Sequence, residues 1–597
     1  MADKLMKDHL YGDLLAPEAG RHTDFALGMT YSLSFEAMLT AHLAFGMLGE
    51  TDSDTMQMPH LLLEAITKSS GKVVVFCNKG GIAVPHTMRK IYSLLEDNIF
   101  EVFDRHCLRA NFHPKLWLIR EVGNDDDDDV QLKLIVTSRN LAYTDNIDCI
   151  ASLTGRVGRT PADAKSQAKH RRLADFITAV AKASNIGSEQ KKRVLKLADD
   201  LLRVEQFDVE APFDDYEFFP YLFGHDFGLG NVAHYLTGTE SIIVSPFVDK
   251  SMLSVLAPAN RSRRTLITRK EYADPDIFAM FDGRGGTYIA LDDLASRGID
   301  LHAKMYHVWQ GRDKQYLFLG SANATTSAFN RNGEILLRLK YRYGNTQSGR
   351  LLREFYEQGN ADSKFMPLNA PVDKAVSPSV WDSAEEAMKQ LACADSLKAE
   401  ITHHRDGSYS ATVSATVSSL PNDVYIAPLQ KRASMQLWTG RATFDNLHAS
   451  DLSVFYIVAA TNADGVRHET IVKIDTTGIP AERDLAIYKG IIKDDNDFFK
   501  FLALMLTDTP IQYIANEMHA IGTGSTGDND AATRCRGLYE KMLKAAATNK
   551  TQIQEIGRLA SRLGDDIVPA GFKKMYDMFA EAMKPTHDNK KQTKQKR

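Results

Sequence analysis

Residues 302–325 read HAKMYHVWQGRDKQYLFLGSANAT: a histidine and a lysine two apart at the head of an apolar run, a polar loop, a second apolar run, then a Gly-Ser-Ala-Asn turn. Alternate side chains of an extended strand point to the same face, so His302 and Lys304 are aimed at one target.

The same grammar occurs upstream, in residues 111–153, NFHPKLWLIREVGNDDDDDVQLKLIVTSRNLAYTDNIDCIASL. His113 and Lys115 open one apolar strand, and a second ends in Thr-Ser-Arg-Asn with Ser138 and Asn140. Asp148 follows, as Glu334 follows Ser321 and Asn323 downstream. The repeat reaches further out. The strand-like KVVVFC ends 36 residues before His113, RRTLIT ends 34 before His302, and FALGMTYSLSFEAML matches SIIVSPFVDKSMLSVL as a strand running into a helix. An internal duplication of alternating strands and helices predicts two α/β halves of similar order.

At 597 residues, with 44% hydrophobic and 25% charged residues, the chain has the composition of an ordinary globular protein with room for roughly three to four domains. No apolar run reaches the roughly 20 residues of a membrane span, and the start MADKLMKDHLYGDLL lacks a signal-peptide layout, so a cytoplasmic location is expected. Five cysteines stand singly, without C-x-x-C, which indicates neither a disulfide framework nor a thiolate metal site. A net charge of −5 argues against a uniformly basic coat but leaves room for a local positive groove.

With both motifs in view, residues 24–370 resemble the phospholipase D superfamily, whose members carry two H-x-K motifs, each followed by an asparagine after the next strand. The longer form of that motif has an aspartate seven residues after the histidine; Arg120 and Trp309 stand there instead. This shorter form is similar to that of tyrosyl-DNA phosphodiesterases and phospholipase D-type nucleases. The resemblance implies one site where the halves meet, on a pseudo-twofold axis.

Hydrolysis of a phosphodiester without a metal needs a nucleophile, an acid for the departing oxygen and fixed groups around the phosphoryl oxygens. Two histidines, two lysines and two asparagines form such a set. The expected catalytic residues are His113, Lys115, Asn140, His302, Lys304 and Asn323, with no metal and no cofactor. By analogy His113 is favoured as nucleophile and His302 as acid, although sequence symmetry does not choose. Asp148 and Glu334 are candidates for accepting the second ring N–H and fixing the tautomer. Ser138 and Ser321 either help them or simply make the turn.

For nucleic-acid contacts, positive charge is expected at Lys191, Lys192 and Arg193 in a helical connector, and at Arg264, Arg269 and Lys270 around the TLIT strand. The acidic run GNDDDDDV, 123–130, reads as a solvated hairpin tip, able to repel stray polyanions if it lies near the site. After residue 375 the pattern changes to period-two alternation, as in SYSATVSATV, which predicts a small β-sandwich. Helical spacing then resumes, and a GxGxxG match at Gly522 follows no βαβ strand and is no phosphate loop. The predicted organisation is a first half, 1–160; a helical connector, 161–235; a second half, 236–375; a β-sandwich-like module, 376–480; and a helical C-terminal region with a basic tail, 481–597.

The expected function is a metal-independent phosphodiesterase acting on nucleic acid, DNA favoured, as a nuclease or DNA-end-processing enzyme with a phosphohistidine intermediate. Large bacterial relatives in the superfamily sit in defence or repair systems, so the resemblance makes antiviral defence an expected setting. Two alternatives stand beside it: a phospholipase acting on lipid phosphodiesters, and a non-catalytic nucleic-acid-binding or assembly subunit partnered with an ATPase or helicase. No membrane association is expected; a homo-oligomer is a further possible state.

Overall fold

The computed structural model describes residues 11–46, 58–236, 238–258, 263–311, 314–342, 363–372, 382–417, 419–506, 541–544, 550–564 and 567–582. The Gly522 loop and the basic tail lie outside the described residues.

The first sheet is built from β1 (Arg21–Thr30), β2 (Val73–Asn78), β3 (Ile99–Val102), β4 (Leu116–Gly123), β5 (Val130–Thr137) and β7 (Ile150–Arg156), in the order β3-β2-β1-β4-β5-β7; the short β6 (Asn146–Ile147) stands outside it. The second contains β8 (Phe213–Leu222), β9 (His225–Asp226), β10 (Glu240–Val244), β11 (Arg263–Ile267), β12 (Thr287–Ala290), β14 (Met305–Trp309), β15 (Gln315–Gly320), β16 (Glu334–Tyr341) and β17 (Phe365–Pro367), while β13 (Asp300–Leu301) pairs with β6. Its order is β17-β12-β11-β10-β14-β15-β16-β8-β9. Without the edge strands β17, β8 and β9, the second order matches the first strand for strand. In each sheet the first three strands run parallel and the next is antiparallel, so β1 corresponds to β10 and β4 to β14.

The central strands are apolar on both faces because both faces are covered, and every residue of β2 is buried. One face of each sheet contributes to a shared core, with Phe25, Leu27 and Met29 of β1 and Ile242 and Val244 of β10. The helices Ala164–Ala183 and Ser188–Leu201 close this core with Leu173, Phe176, Ile177, Val194 and Leu197, and the Asp163 carboxylate caps the first by accepting from the Lys165 and Ser166 amides. Helices Phe35–Gly46 and Pro59–Lys68 cover the outer face of the first sheet. Helices Lys250–Leu256, Pro275–Phe281 and Thr326–Asn330 cover that of the second.

The connector departs from the helical expectation. Its C-terminal part is β8, which pairs along the whole length of β16 and extends the second sheet. FDDYEFFPYL begins with exposed or half-buried Asp214, Asp215 and Glu217 between buried aromatics and runs on as a continuously buried apolar stretch, 218–222, which suits a strand covered on both faces.

Beyond residue 382, two four-stranded sheets and the helix Ser383–Ala392 surround a separate core. This unit docks on the first half. Phe455, Ile457 and Ile471 join the outer core of the first sheet, and Lys79, Glu101, Lys473, Glu96 and Arg483 form buried or half-buried ion pairs and hydrogen bonds across the seam. Among the described residues no helix is long and apolar enough to cross a membrane.

Candidate active site

His113–Lys115 and His302–Lys304 lie in the extended entries to β4 and β14, not within the strands. Both therefore sit at the same end of the sheets as the carboxyl ends of the parallel strands β1 and β10, where ligands bind in open α/β sheets. Ser138 and Asn140 follow β5, Ser321 closely follows the end of β15, and Asp148 and Glu334 stand at the start of the returning strands.

Two short backbone junctions sew the halves together here. His113 donates its backbone N–H to the Gly333 carbonyl at 2.9 Å, and His302 donates to the Ile147 carbonyl at 3.0 Å. Gly333 and Ile147 each immediately precede an acidic residue, so each junction brings the acid of one half beneath the histidine of the other. His113 Nδ1 lies 2.9 Å from Glu334 Oε2, and His302 Nδ1 lies 2.9 Å from Asp148 Oδ1. The carboxylates are exchanged between the halves, which spacing within either repeat does not reveal.

Each acid is held from its own half. Ser138 Oγ donates to Asp148 at 2.6 Å, and Ser321 Oγ donates to Glu334 at 2.5 Å. Each hydroxyl also accepts a backbone N–H at 2.9 Å, from Cys149 and Ile335 respectively. Lys115 and Lys304 are wholly buried, and each ammonium donates to the carbonyl of its own histidine, at 3.2 and 2.6 Å.

The asparagine turns rest on groups the motif did not single out. At the end of β1 the Thr30 hydroxyl donates to Ser32 and accepts the Leu141 N–H; at the end of β10 the Ser245 hydroxyl donates to Phe247 and accepts the Ala324 N–H. Asn140 and Asn323 are each followed by one of these pinned residues, and both carry a buried carboxamide oxygen without a protein hydrogen-bond partner. The only signal in the sequence was a hydroxyl residue closing each parallel strand. Tyr31 was missed as well: its ring centroid is 5.2 Å from that of His113, and the Lys115 ammonium sits 5.8 Å from it.

Burial dominates the electrostatics. It pulls the His113 imidazole well below its ordinary pKa, helped by the charges of Lys115, Lys304 and His302. Burial lowers His302 to about 4 against the opposing hydrogen bond it donates to Asp148. It brings Lys304 to about 8 and holds Lys115 well below its usual value. The two acids differ. Burial raises Glu334 to about 8, whereas for Asp148 burial is outweighed by the hydrogen bonds and charge of His302, Ser138 and Lys304, and its carboxyl falls below the usual range. Asp148 is the firmer carboxylate of the two.

The residues expected to contact nucleic acid separate by location. Arg269 follows β11 at the site end, donates to the Leu301 carbonyl at 3.1 Å, pairs with Asp300 at 2.9 Å and is close enough to lower the Lys304 ammonium; Lys270 beside it is exposed. Arg264 begins the buried part of β11 at the other end, is 4% exposed and donates to the Ala257 carbonyl. Arg193 is fastened to the Gly71 and Asp24 carbonyls and the Asp24 carboxylate, near the start of β1. Lys192 pairs with Glu189, and Lys191 is half-buried on the same helix. Arg264 and the connector trio thus lie at the far end of the sheets, and the structure does not bring them to the site. The acidic run does form an exposed tip between β4 and β5, but it too is at the far end, roughly 26 Å of strand from His113. Arg105, Arg109 and Arg139 lie in the loops flanking His113 and Asn140 and were not singled out by sequence.

No protein-family model matches the chain, and no curated protein matches it in sequence. Among solved structures, yeast tyrosyl-DNA phosphodiesterase aligns with 12% identity and a TM-score of 0.36, covering 58% of this chain and 89% of that one. A His-to-Ala mutant of the yeast enzyme aligns with 11% identity and a TM-score of 0.35, over 62% and 92%. A His-to-Asn mutant gives 11% and 0.34, over 59% and 90%. The aligned region is 58–62% of this chain, at 11–12% identity.

Proposed function

We propose that the chain is a phosphodiesterase that cleaves nucleic acid through a phosphohistidine on His113. The observation that carries this reading is the exchange of carboxylates: two histidines, each oriented by an acid from the other half, stand with two buried lysines at one junction. The reading takes residues 1–160 and 236–375, with β8 added, as two halves related by a pseudo-twofold axis, and the regions after 376 as appended units.

With Glu334 ionised and the neutral His113 ring carrying its one proton on Nδ1, donated to Glu334 Oε2, the Nε2 lone pair is free to attack phosphorus. The bond from phosphorus to the leaving oxygen breaks, its electron pair goes to that oxygen, and His302 supplies the proton. His302 then takes a proton from water as the oxygen attacks phosphorus, and the P–N bond breaks to restore His113. The more strongly ionised Asp148 favours an imidazolium on His302, which suits it as the acid. A bound phosphodiester adds the negative charge that offsets Lys115 and Lys304, raising the His302 pKa from its value in the free protein. Lys115, Lys304 and the Asn140 and Asn323 carboxamides would hold the phosphoryl oxygens, where charge develops. Nucleic acid is favoured over lipid by the cations in the site-end loops, Arg105, Arg109, Arg139, Arg269 and Lys270.

The test is incubation in EDTA with labelled single- and double-stranded DNA, RNA, a 3′-tyrosyl oligonucleotide and phosphatidylcholine vesicles. Cleavage of an oligonucleotide is expected, with a loss of at least about 10²–10⁴-fold in either His113→Ala or His302→Ala. Cleavage of vesicles alone would transfer the case to a lipid substrate. Binding of oligonucleotide without cleavage of any probe would favour a non-catalytic subunit.

A further inference from the structure

The two carboxylates are not supported alike. Asp148 Oδ2 is buried without a hydrogen-bond partner, but Glu334 Oε1 accepts from Asn332 Nδ2 at 3.4 Å. The Asn332 carboxamide oxygen in turn accepts the Asn111 backbone N–H at 3.2 Å, and the Asn111 side-chain oxygen accepts from Lys389 Nζ at 2.9 Å. The same ammonium donates to the Ala110 carbonyl at 3.3 Å. Lys389 belongs to the helix Ser383–Ala392, whose apolar face, Ala384, Ala387, Met388 and Leu391, packs into the core of the C-terminal β unit. A hydrogen-bonded path therefore runs from that unit to the acid beneath His113, and among the described residues no matching path reaches Asp148.

We infer that the helix Ser383–Ala392 is part of the catalytic unit and that Lys389 is a positioning residue for the Glu334–His113 pair. The physical argument is the unequal support. Asn111 precedes Phe112 and His113 and also accepts the Gly333 N–H at 2.8 Å, so the group Lys389 clamps lies on the junction that brings Glu334 to His113. Without that clamp, both the position of Asn332 and the entry to His113 lose a fixed point. Lys389 sits in a half-buried setting where burial lowers its pKa, so its two donations replace hydration that the site withholds. Glu385, one turn earlier on the same helix, acts electrostatically on Tyr31, the ring beside His113, placing this helix face on the His113 side of the site.

The inference rests on the phosphodiesterase reading for its kinetic arm but not for its spectroscopic one. Lys389→Met keeps the aliphatic stem and removes both donations; Lys389→Gln retains one donor. Lys90→Met, which breaks an ion pair to Asp451 in another contact between the same unit and the first half, is the docking control. With bis(4-nitrophenyl) phosphate as probe, Lys389→Met is expected to lower kcat by about 10-fold with KM within about 2-fold, as loss of an orienting outer partner does elsewhere. Lys389→Gln should recover part of the loss, and Lys90→Met should lower Tm without changing kcat. In histidine-selective nitrogen-15 spectra of the full chain, Lys389→Met should move the His113 ring resonances and leave those of His302 in place.

Unchanged His113 resonances and kcat, with only a lower Tm, would overturn the inference, as would equal shifts at both histidines. If the parent protein hydrolyses no phosphodiester, the functional reading fails, and the imidazole spectra alone still decide whether Lys389 positions His113.

Discussion

His302 and His113 were legible as a pair because two residues apart from a lysine, twice, is a pattern that turn or core chemistry does not need. Their acids were legible as candidates, but the pairing was not: Asp148 is 35 residues from His113 and 154 from His302, and it is the distant histidine that it touches. Burial carries the sharpest residue-level prediction. Lys304 has a folded pKa of about 8 against about 10.4 for an exposed lysine. The native state therefore binds fewer protons than the unfolded chain between those values, so stability should rise as pH rises through that window. Activity should follow a bell, kcat/KM rising toward about pH 8 as Glu334 ionises to accept the His113 proton and falling above it as the Lys304 ammonium is lost. Lys304→Met should remove both effects, abolish activity and raise stability at pH 7 by up to about 3 kcal/mol, the linkage value of the shift. Denaturant titrations of parent and Lys304→Met across pH 6–10.5 check this; because the buried thiols Cys77, Cys149 and Cys393 oppose it in the parent, the test is the difference between the two proteins, and a difference that does not shrink between pH 8 and 10 would refute it.

At the scale of elements, strand identity was readable wherever apolar runs were continuous, as in β2 and β11, and the order of elements followed from their repetition. The connector's final segment was harder to read because FDDYEFFPYL has no period-two alternation beyond Tyr216–Phe218 and was overshadowed by the helical spacing before it. The site turns also show where equivalence between the halves ends. Gly320 opens the second turn with a φ of +152°, and an added Cβ would lie 2.3 Å from the Ile335 carbonyl oxygen; Thr137 occupies the matching place in the first half. Gly320→Ala should cost about 1–3 kcal/mol of stability and displace Ser321 from Glu334, so that residual folded protein is also less active. Equilibrium unfolding and single-turnover assays separate these effects. Thr137 holds the first turn instead through its buried hydroxyl, which accepts the Arg139 N–H at 3.0 Å, so Thr137→Val should loosen that turn and lower activity by more than about 2-fold; unchanged activity would show that this bond does not position Asn140.

For the whole molecule, topology decides which charges can matter. Strands carry residues at their two ends to opposite sides of the sheets, so a basic cluster found by composition is of use only if it is at the carboxyl end of the parallel strands. Lys191, Lys192 and Arg193 are at the other end, and their triple replacement by Ala should leave oligonucleotide affinity and its salt dependence unchanged, while Arg269→Ala with Lys270→Ala should weaken binding and flatten the salt slope. Fluorescence anisotropy from 50 to 200 mM salt reads both. The central claim concerns division of labour across the junction, with His113 as nucleophile and His302 as acid and base. An oligonucleotide 4-nitrophenyl phosphodiester tests it directly, because its leaving group departs without a proton and so bypasses the acid step. His302→Ala is predicted to release a burst of one nitrophenolate per chain and to retain the phosphoryl group on the peptide containing His113, while His113→Ala gives neither; steady turnover by His302→Ala with no adduct, or an adduct on any other residue, would contradict the account.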